Sequence, residues 1–243
     1  MQHRTVRGRI LYTSKKPEML DQPRGQEWFQ FTHHTDGSTV FRATCEIEEP
    51  SPTVLRDIIY HLDGEGRPRD LHVHLTVGDR FMGSGWLHHE PGAGGGRIEC
   101  ESYGPSIGRI SQTVDYEGAI DGFGTHPIAG DGYMTRCMDL SRGPHRRMAR
   151  AFLPSPDHRG ATPPLLAEVN IGLEYVGQET ITVAAGTFEC NHFRYVDDEG
   201  PGMGGVQHPH YDMWVTADAD SIFVQGGVGG YMQTWYELVE LER

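Results

Sequence analysis

Histidine is the side chain best suited to proton transfer near neutral pH, and this chain carries 14 of them. Their spacing sorts them by what they can do. His72-x-His74 and His208-x-His210 each hold two imidazoles two residues apart, and on a strand such residues share a face. Together they form a candidate four-histidine site, or a three-ligand site with a position open for water. The competing reading takes Leu71, Val73, Leu75 and Val77 as the core face, which turns His72 and His74 outward. Pro209 between the other two favours a loop or a strand entry. We therefore expect no resident metal, with these four histidines as the alternative. His33-His34 and His88-His89 are adjacent pairs, so each offers only one ring to a given cavity.

The segment from Gly122 to Tyr133 sets His126, Asp131 and Tyr133 among glycines and apolar residues. Histidine there suits a general base, and a nearby carboxylate can orient it; the alternative is a turn whose Asp131 bonds its own backbone. Between Glu189 and Val196, Cys190, His192 and Arg194 share one face, and Glu189, Asn191, Phe193 and Tyr195 the other. Arg194 suits an oxyanion partner if that first face looks into a lumen, and a polar outer surface if it does not. Tyr103, Tyr211, Trp214, Tyr231, Trp235 and Tyr236 supply aromatic surface for core or pocket. The expected catalytic set is His126, His192, Arg194 and Tyr211. The expected substrate-binding set is Tyr103, Asp131, Tyr133 and Trp214.

Such residues need a frame, and the period-two pattern supplies one. Strands are expected at 9–13, 26–33, 39–48, 54–62, 70–77, 81–89, 97–103 and 109–116. Asp36-Gly37 marks a hairpin turn. Residues 119–159 read as a long central loop with a short helix over 134–140, and the basic cluster Arg142 to Arg150 as a solvated helix or turn. Strands resume at 165–175, 179–183, 187–196, 210–216, 221–225 and 231–241, with a second loop over 200–205. No long amphipathic helix, repeat or linker interrupts the pattern. The fold class is all-β: a single domain over 1–243, an antiparallel, closed or nearly closed barrel of lipocalin or calycin type, because so many strands must close or layer to protect their edges.

The run Gly177-Gln178-Glu179-Thr180-Ile181-Thr182-Val183-Ala184-Ala185-Gly186-Thr187-Phe188 resembles the G-x-E-x-(aliphatic)-x-x-x-x-G-T-F signature of the DUF3108-like β-barrel proteins. Tyr211 to Thr216 resembles their tryptophan-bearing strand. The likeness covers the last third of the chain. It implies a lipocalin-like barrel and brings no catalytic residues with it.

Composition narrows the function. The formal net charge of -13 opposes nucleic acid and anionic membrane as partners. No apolar run is long enough to span a bilayer, and the first residues lack the core of a secretory signal, which leads us to expect a cytoplasmic protein. The widely spaced Cys45, Cys100, Cys137 and Cys190 suit reduced thiols. There is no dinucleotide fingerprint, phosphate loop or G-x-S-x-G elbow. The reading is an acid–base enzyme without organic cofactor, a lyase, hydratase or isomerase. Its substrate would be a hydrophobic, ring-bearing small molecule, as in the breakdown of aromatic compounds. A non-catalytic binding barrel and a metal-dependent enzyme using the H-x-H pairs are the alternatives, and a homodimer is allowed.

Overall fold

The computed structural model describes residues 3–199, 202 and 205–243. The expected loop over 200–205 thus lies mostly outside the described residues. One 15-stranded sheet makes up most of the molecule. Its first part is a meander of β1 (His3–Ser14), β2 (Pro23–His34), β3 (Thr39–Ile47), β4 (Val54–Leu62), β5 (Pro68–Val77), β6 (Arg80–Gly92), β7 (Gly95–Gly104) and β8 (Gly108–Glu117). Then come β9 (Gly122–Phe123), the helix α1 (Ile128–Met134), and β10 (His145–Leu153), β11 (Ala167–Val183), β12 (Gly186–Val196), β13 (Tyr211–Thr216), β14 (Phe223–Val228) and β15 (Thr234–Glu242). β15 pairs antiparallel with β1, joining the two halves.

Alternation makes the strands. In β5, Leu71, Val73 and Leu75 are buried while His72 and His74 are exposed. The β2–β3 turn follows its sequence signal. Gly37 adopts φ 86°, which an L side chain resists, and the Asp36 carboxylate accepts from the Ser38 amide at 2.9 Å. Inward residues from nearly every strand share one hydrophobic cluster. Within it Phe31 stacks on Phe41 with ring centroids 4.6 Å apart.

Among the described residues the sheet is barrel-like but does not close through backbone hydrogen bonds, since β8 and β9 are its two edges. Side chains bridge the seam instead. The Leu166 amide donates to Gln112 Oε1 (2.9 Å), and Arg150 donates to the Glu117 carbonyl (2.6 Å) with its guanidinium over the Tyr116 ring. The Phe123 amide donates to the Tyr60 hydroxyl at 3.1 Å.

The central region differs from expectation. It is not one long loop: β9, α1 and β10 lie within it. The helix ends at Met134, before most of the expected span, and 3-10 turns follow at Thr135–Cys137 and Leu140–Arg142. The basic cluster lies largely on β10, whose inward residues Ala149 and Ala151 are too small to print a clear hydrophobic alternation between the arginines. The expected strands at 165–175 and 179–183 are one strand, β11, with a register shift between Tyr175 and Gly177. All four cysteines are free. No helix among the described residues is long and apolar enough to cross a membrane.

Candidate functional site

The small inward side chains of β10 have a consequence. Ala149 and Ala151, with Val169 and Ile171 of β11, leave space between the sheet and α1 that larger residues would fill. The result is a chamber of ≈ 310 Å³ that opens to the surface beside the exposed Tyr231, a size suited to one small molecule. Ile47, Ile128, Met134, Leu153, Val228 and Met232 complete its apolar wall.

One end carries histidines. His126, His158 and His208 line it. His126 sits at φ 69° immediately before Pro127, a strained setting for a residue with a Cβ. Its Nε2 is buried and has no hydrogen-bond partner among the described residues. Burial first, then the positive charge of Arg56, holds the His126 pKa well below the ordinary histidine value, so its ring stays neutral. The His158 ring meets that of His208 at 5.0 Å, and its Nδ1 lies 2.5 Å from the Tyr231 hydroxyl. His208 Nδ1 donates to the Pro209 carbonyl (2.6 Å), and its amide donates to the Asp197 carboxylate (2.7 Å). Burial pushes its pKa down to about 4.

The other end carries a carboxyl among phenols. Asp131, on α1, faces Tyr195, Tyr211 and Tyr236. Desolvation, then the neighbouring Glu27, holds its pKa well above the usual carboxylate range. Behind it, Glu27 of β2 is fully buried. It accepts from the Tyr12 hydroxyl (2.6 Å) and from the first amides of α1, Ile128 (2.6 Å) and Ala129 (3.0 Å). Burial raises its pKa to about 7 against the pull of those donors. Glu27 therefore ties the short helix, and Asp131 with it, to the sheet.

The cations at the chamber are partly engaged, with Arg159 Nε and Arg56 Nη1 left without a partner among the described residues. Lys16 pairs with Glu49 (2.6 Å), and Arg24 donates to the carbonyls of Glu49 and Met232, both at 2.8 Å. Arg159 donates to the carbonyls of Pro50 and Pro52. Arg56 is 1% exposed and donates to the Gly160 carbonyl, which anchors the segment from Pro154 to Leu166. Pro164 of that segment lies so close to Gly83 and Gly85 that a Cβ on either would clash.

Three of the eight expected site residues line this chamber: His126, Asp131 and Tyr211. His192, Arg194 and Trp214 are on the outer face. His192 stacks on Trp214 (centroids 4.3 Å apart), and both His192 and Arg194 pair with Asp212 at 2.8 Å. The reason is strand parity: Asn191, Phe193 and Tyr195 are the inward face of β12. Tyr103 is 55% exposed, and Tyr133 packs into the core on Phe31. His72 and His74 are also external, whereas His208 lines the chamber, so the two H-x-H pairs do not converge. No cluster of three or more metal-ligating side chains occurs among the described residues. Sequence reading missed Glu27, His158, Asp197 and Tyr195. Glu27 was detectable, because it shares parity with Phe29 and Phe31 on the inward face of β2.

No family model matches the chain, so the likeness to DUF3108-like proteins has no such support, and no curated protein matches it. Among solved structures it is similar to a β-barrel-like protein of the domain of unknown function DUF1849 from Brucella abortus. The TM-score is 0.61 at 14% identity, over 98% of this chain and 97% of that one. That likeness defines the class as β-barrel-like and is one of fold alone. A protein with a YmcC-like fold from Bacteroides fragilis aligns over 100% of this chain and 96% of its own. Its TM-score is 0.31 at 10% identity, too weak to bear on the fold.

Proposed function

We propose that the protein binds one small, mostly apolar molecule inside the barrel, without covalent chemistry. The observation that carries this reading is the ≈ 310 Å³ chamber with its largely apolar wall. Folding normally matches buried polar atoms; His126 Nε2 and the Tyr211 hydroxyl, on two residues that line the chamber, are buried and unpaired, and a ligand would complete them once their side chains turn toward it. The expected catalytic quartet gives less support to an enzyme, because His192 and Arg194 face outward. Kinship with DUF3108-like barrels is part of the same proposal, supported by Gly177 to Phe188, which spans the β11–β12 hairpin tip.

The test uses the neutral fluorophore N-phenyl-1-naphthylamine and the chamber-filling substitution Ile171→Trp. The wild type is expected to bind the dye saturably at one site, and the folded variant to lose that binding. Equal binding by both proteins, or none by either, refutes the reading.

Acid–base catalysis is a second reading, favoured by one observation. The chamber holds a base kept neutral, His126, and an acid biased toward its protonated form, Asp131. If a bound compound is turned over, His126→Ala should lower turnover by roughly 10²–10⁴-fold with little change in affinity. The depressed pKa of His126 should keep activity intact well below the pH at which an ordinary histidine protonates.

A further inference from the structure

Tyrosines gather around Asp131 in the chamber, and the His208 ring borders them, 6.2 Å from that of Tyr211. Tyr12, Tyr236, Tyr211 and Tyr195 all line the chamber, each ring packed on the next in that order. Centroids lie 4.9 Å apart for Tyr12 and Tyr236, 5.9 Å for Tyr195 and Tyr211, and 6.0 Å for Tyr211 and Tyr236. Asp131 reaches this group from α1. Among the described residues it has neither a hydrogen-bond donor nor a cation as partner, and its charged neighbour is another carboxyl, Glu27. Tyr211 is 3% exposed, and its hydroxyl is also unpartnered.

We propose that Asp131 and the tyrosines around it form a receptor for a protonated amine, the head group of the ligand whose apolar body fills the chamber. The proposal rests on the binding reading above and names its ligand class. Aromatic faces attract an ammonium through their quadrupoles, most strongly where water is excluded. An unpaired carboxyl among them supplies the counter-charge. Two of the cations that line the chamber, Lys16 and Arg24, are engaged by Glu49 and by backbone carbonyls, and Arg159 donates to the carbonyls of Pro50 and Pro52. A net charge of -13 also draws cations toward the protein.

Charge balance adds a signature. The groups that act on Asp131 or are acted on by it are Glu27 of β2, Tyr195 of β12, Tyr211 of β13 and Tyr236 of β15, none of them cationic; Tyr12 of β1, His208 and Arg24 border these tyrosines. In the empty chamber this setting favours the neutral acid at Asp131. As the ammonium enters, the carboxyl gives its proton to solvent, and a carboxylate–ammonium pair remains. An alcohol or a carboxylic acid of the same shape triggers no such release.

The experiment is isothermal titration of hexylamine, hexan-1-ol and hexanoate at neutral pH, in two buffers of different ionisation enthalpy. Hexylamine is expected to bind about 10-fold more tightly than the other two, with a buffer-dependent heat that reports proton release. Asp131→Asn should abolish both the preference and the buffer dependence. Tyr211→Phe, which keeps the ring, should retain the amine preference. Hexanol or hexanoate leading the ranking, or Asp131→Asn keeping the preference, overturns the amine assignment and leaves the chamber as a binding site. No binding of any of the three overturns both readings.

Discussion

Two histidines away from bulk water, His89 and His126, receive opposite treatment in the two halves of the barrel. His89, on β6, is 2% exposed, and both ring nitrogens are engaged. Nδ1 lies 2.7 Å from the Pro68 carbonyl and must donate to it, which leaves Nε2 to accept from the Tyr116 hydroxyl at 2.6 Å. Its ring sits against Phe123 in packed core. His126 lies at the chamber, in a strained backbone setting, with Nε2 unmatched. The lesson is about what surrounds a polar group. Where large residues interlock, the chain supplies the partner as well as the group. Where β10 and β11 contribute alanine and valine beside the chamber, His126 Nε2 has no partner among the described residues.

The comparison can be broken most decisively at Glu27, the carboxyl that ties the chamber helix to the sheet. Its folded pKa of about 7 lies above the ordinary 4.5, so between those values the folded state holds more protons than the unfolded state. Stability from this group is therefore present at low pH and lost as pH rises from 4.5 to about 7. Gln does not titrate. The stability of Glu27→Gln relative to wild type should accordingly climb by on the order of 3 kcal/mol between the two ends of that window. Urea denaturation across the range measures it, and a difference independent of pH would show that Glu27 ionises normally.

A smaller effect is expected at the matched histidine. His89→Ala strands the Pro68 carbonyl and the Tyr116 hydroxyl and should cost about 2 kcal/mol, with dye affinity in the chamber unaltered. A loss under about 0.5 kcal/mol would mean that this half is no better matched than the chamber. The smallest effect has the opposite sign. His126→Gly relieves a positive φ that only glycine adopts freely, and should gain about 1 kcal/mol in thermal or chemical denaturation. A destabilised His126→Gly would place His126 among the structural residues and remove the contrast with His89.

Much of the frame was legible in the residues. Period-two alternation marks most strands, and on β5 it assigns His72 and His74 to the outside against the metal alternative. The same parity marks Glu27 on β2 and Arg56 on β4 as charges on faces otherwise apolar, a signal stronger than histidine count. It failed at β10, because a strand that borders a cavity carries small inward residues and so hides its own periodicity.

The sequence by itself determined an all-β meander, the turn at Asp36-Gly37, and the sorting of each strand into two faces, since side-chain alternation and turn chemistry are local properties. It did not determine which face of β12 looks inward: Cys190, His192 and Arg194 compose as plausible a lumen as Asn191, Phe193 and Tyr195. Only the tertiary structure decided that, by placing Phe193 in the common core. It also decided that His126, His158, His208, Asp131 and Tyr211, spread over 86 positions of the chain from 126 to 211, share one chamber. That gathering depends on the path of the sheet and on the space left beside Ala149 and Ala151. A void is set by the surroundings on every side and not by any one stretch of residues.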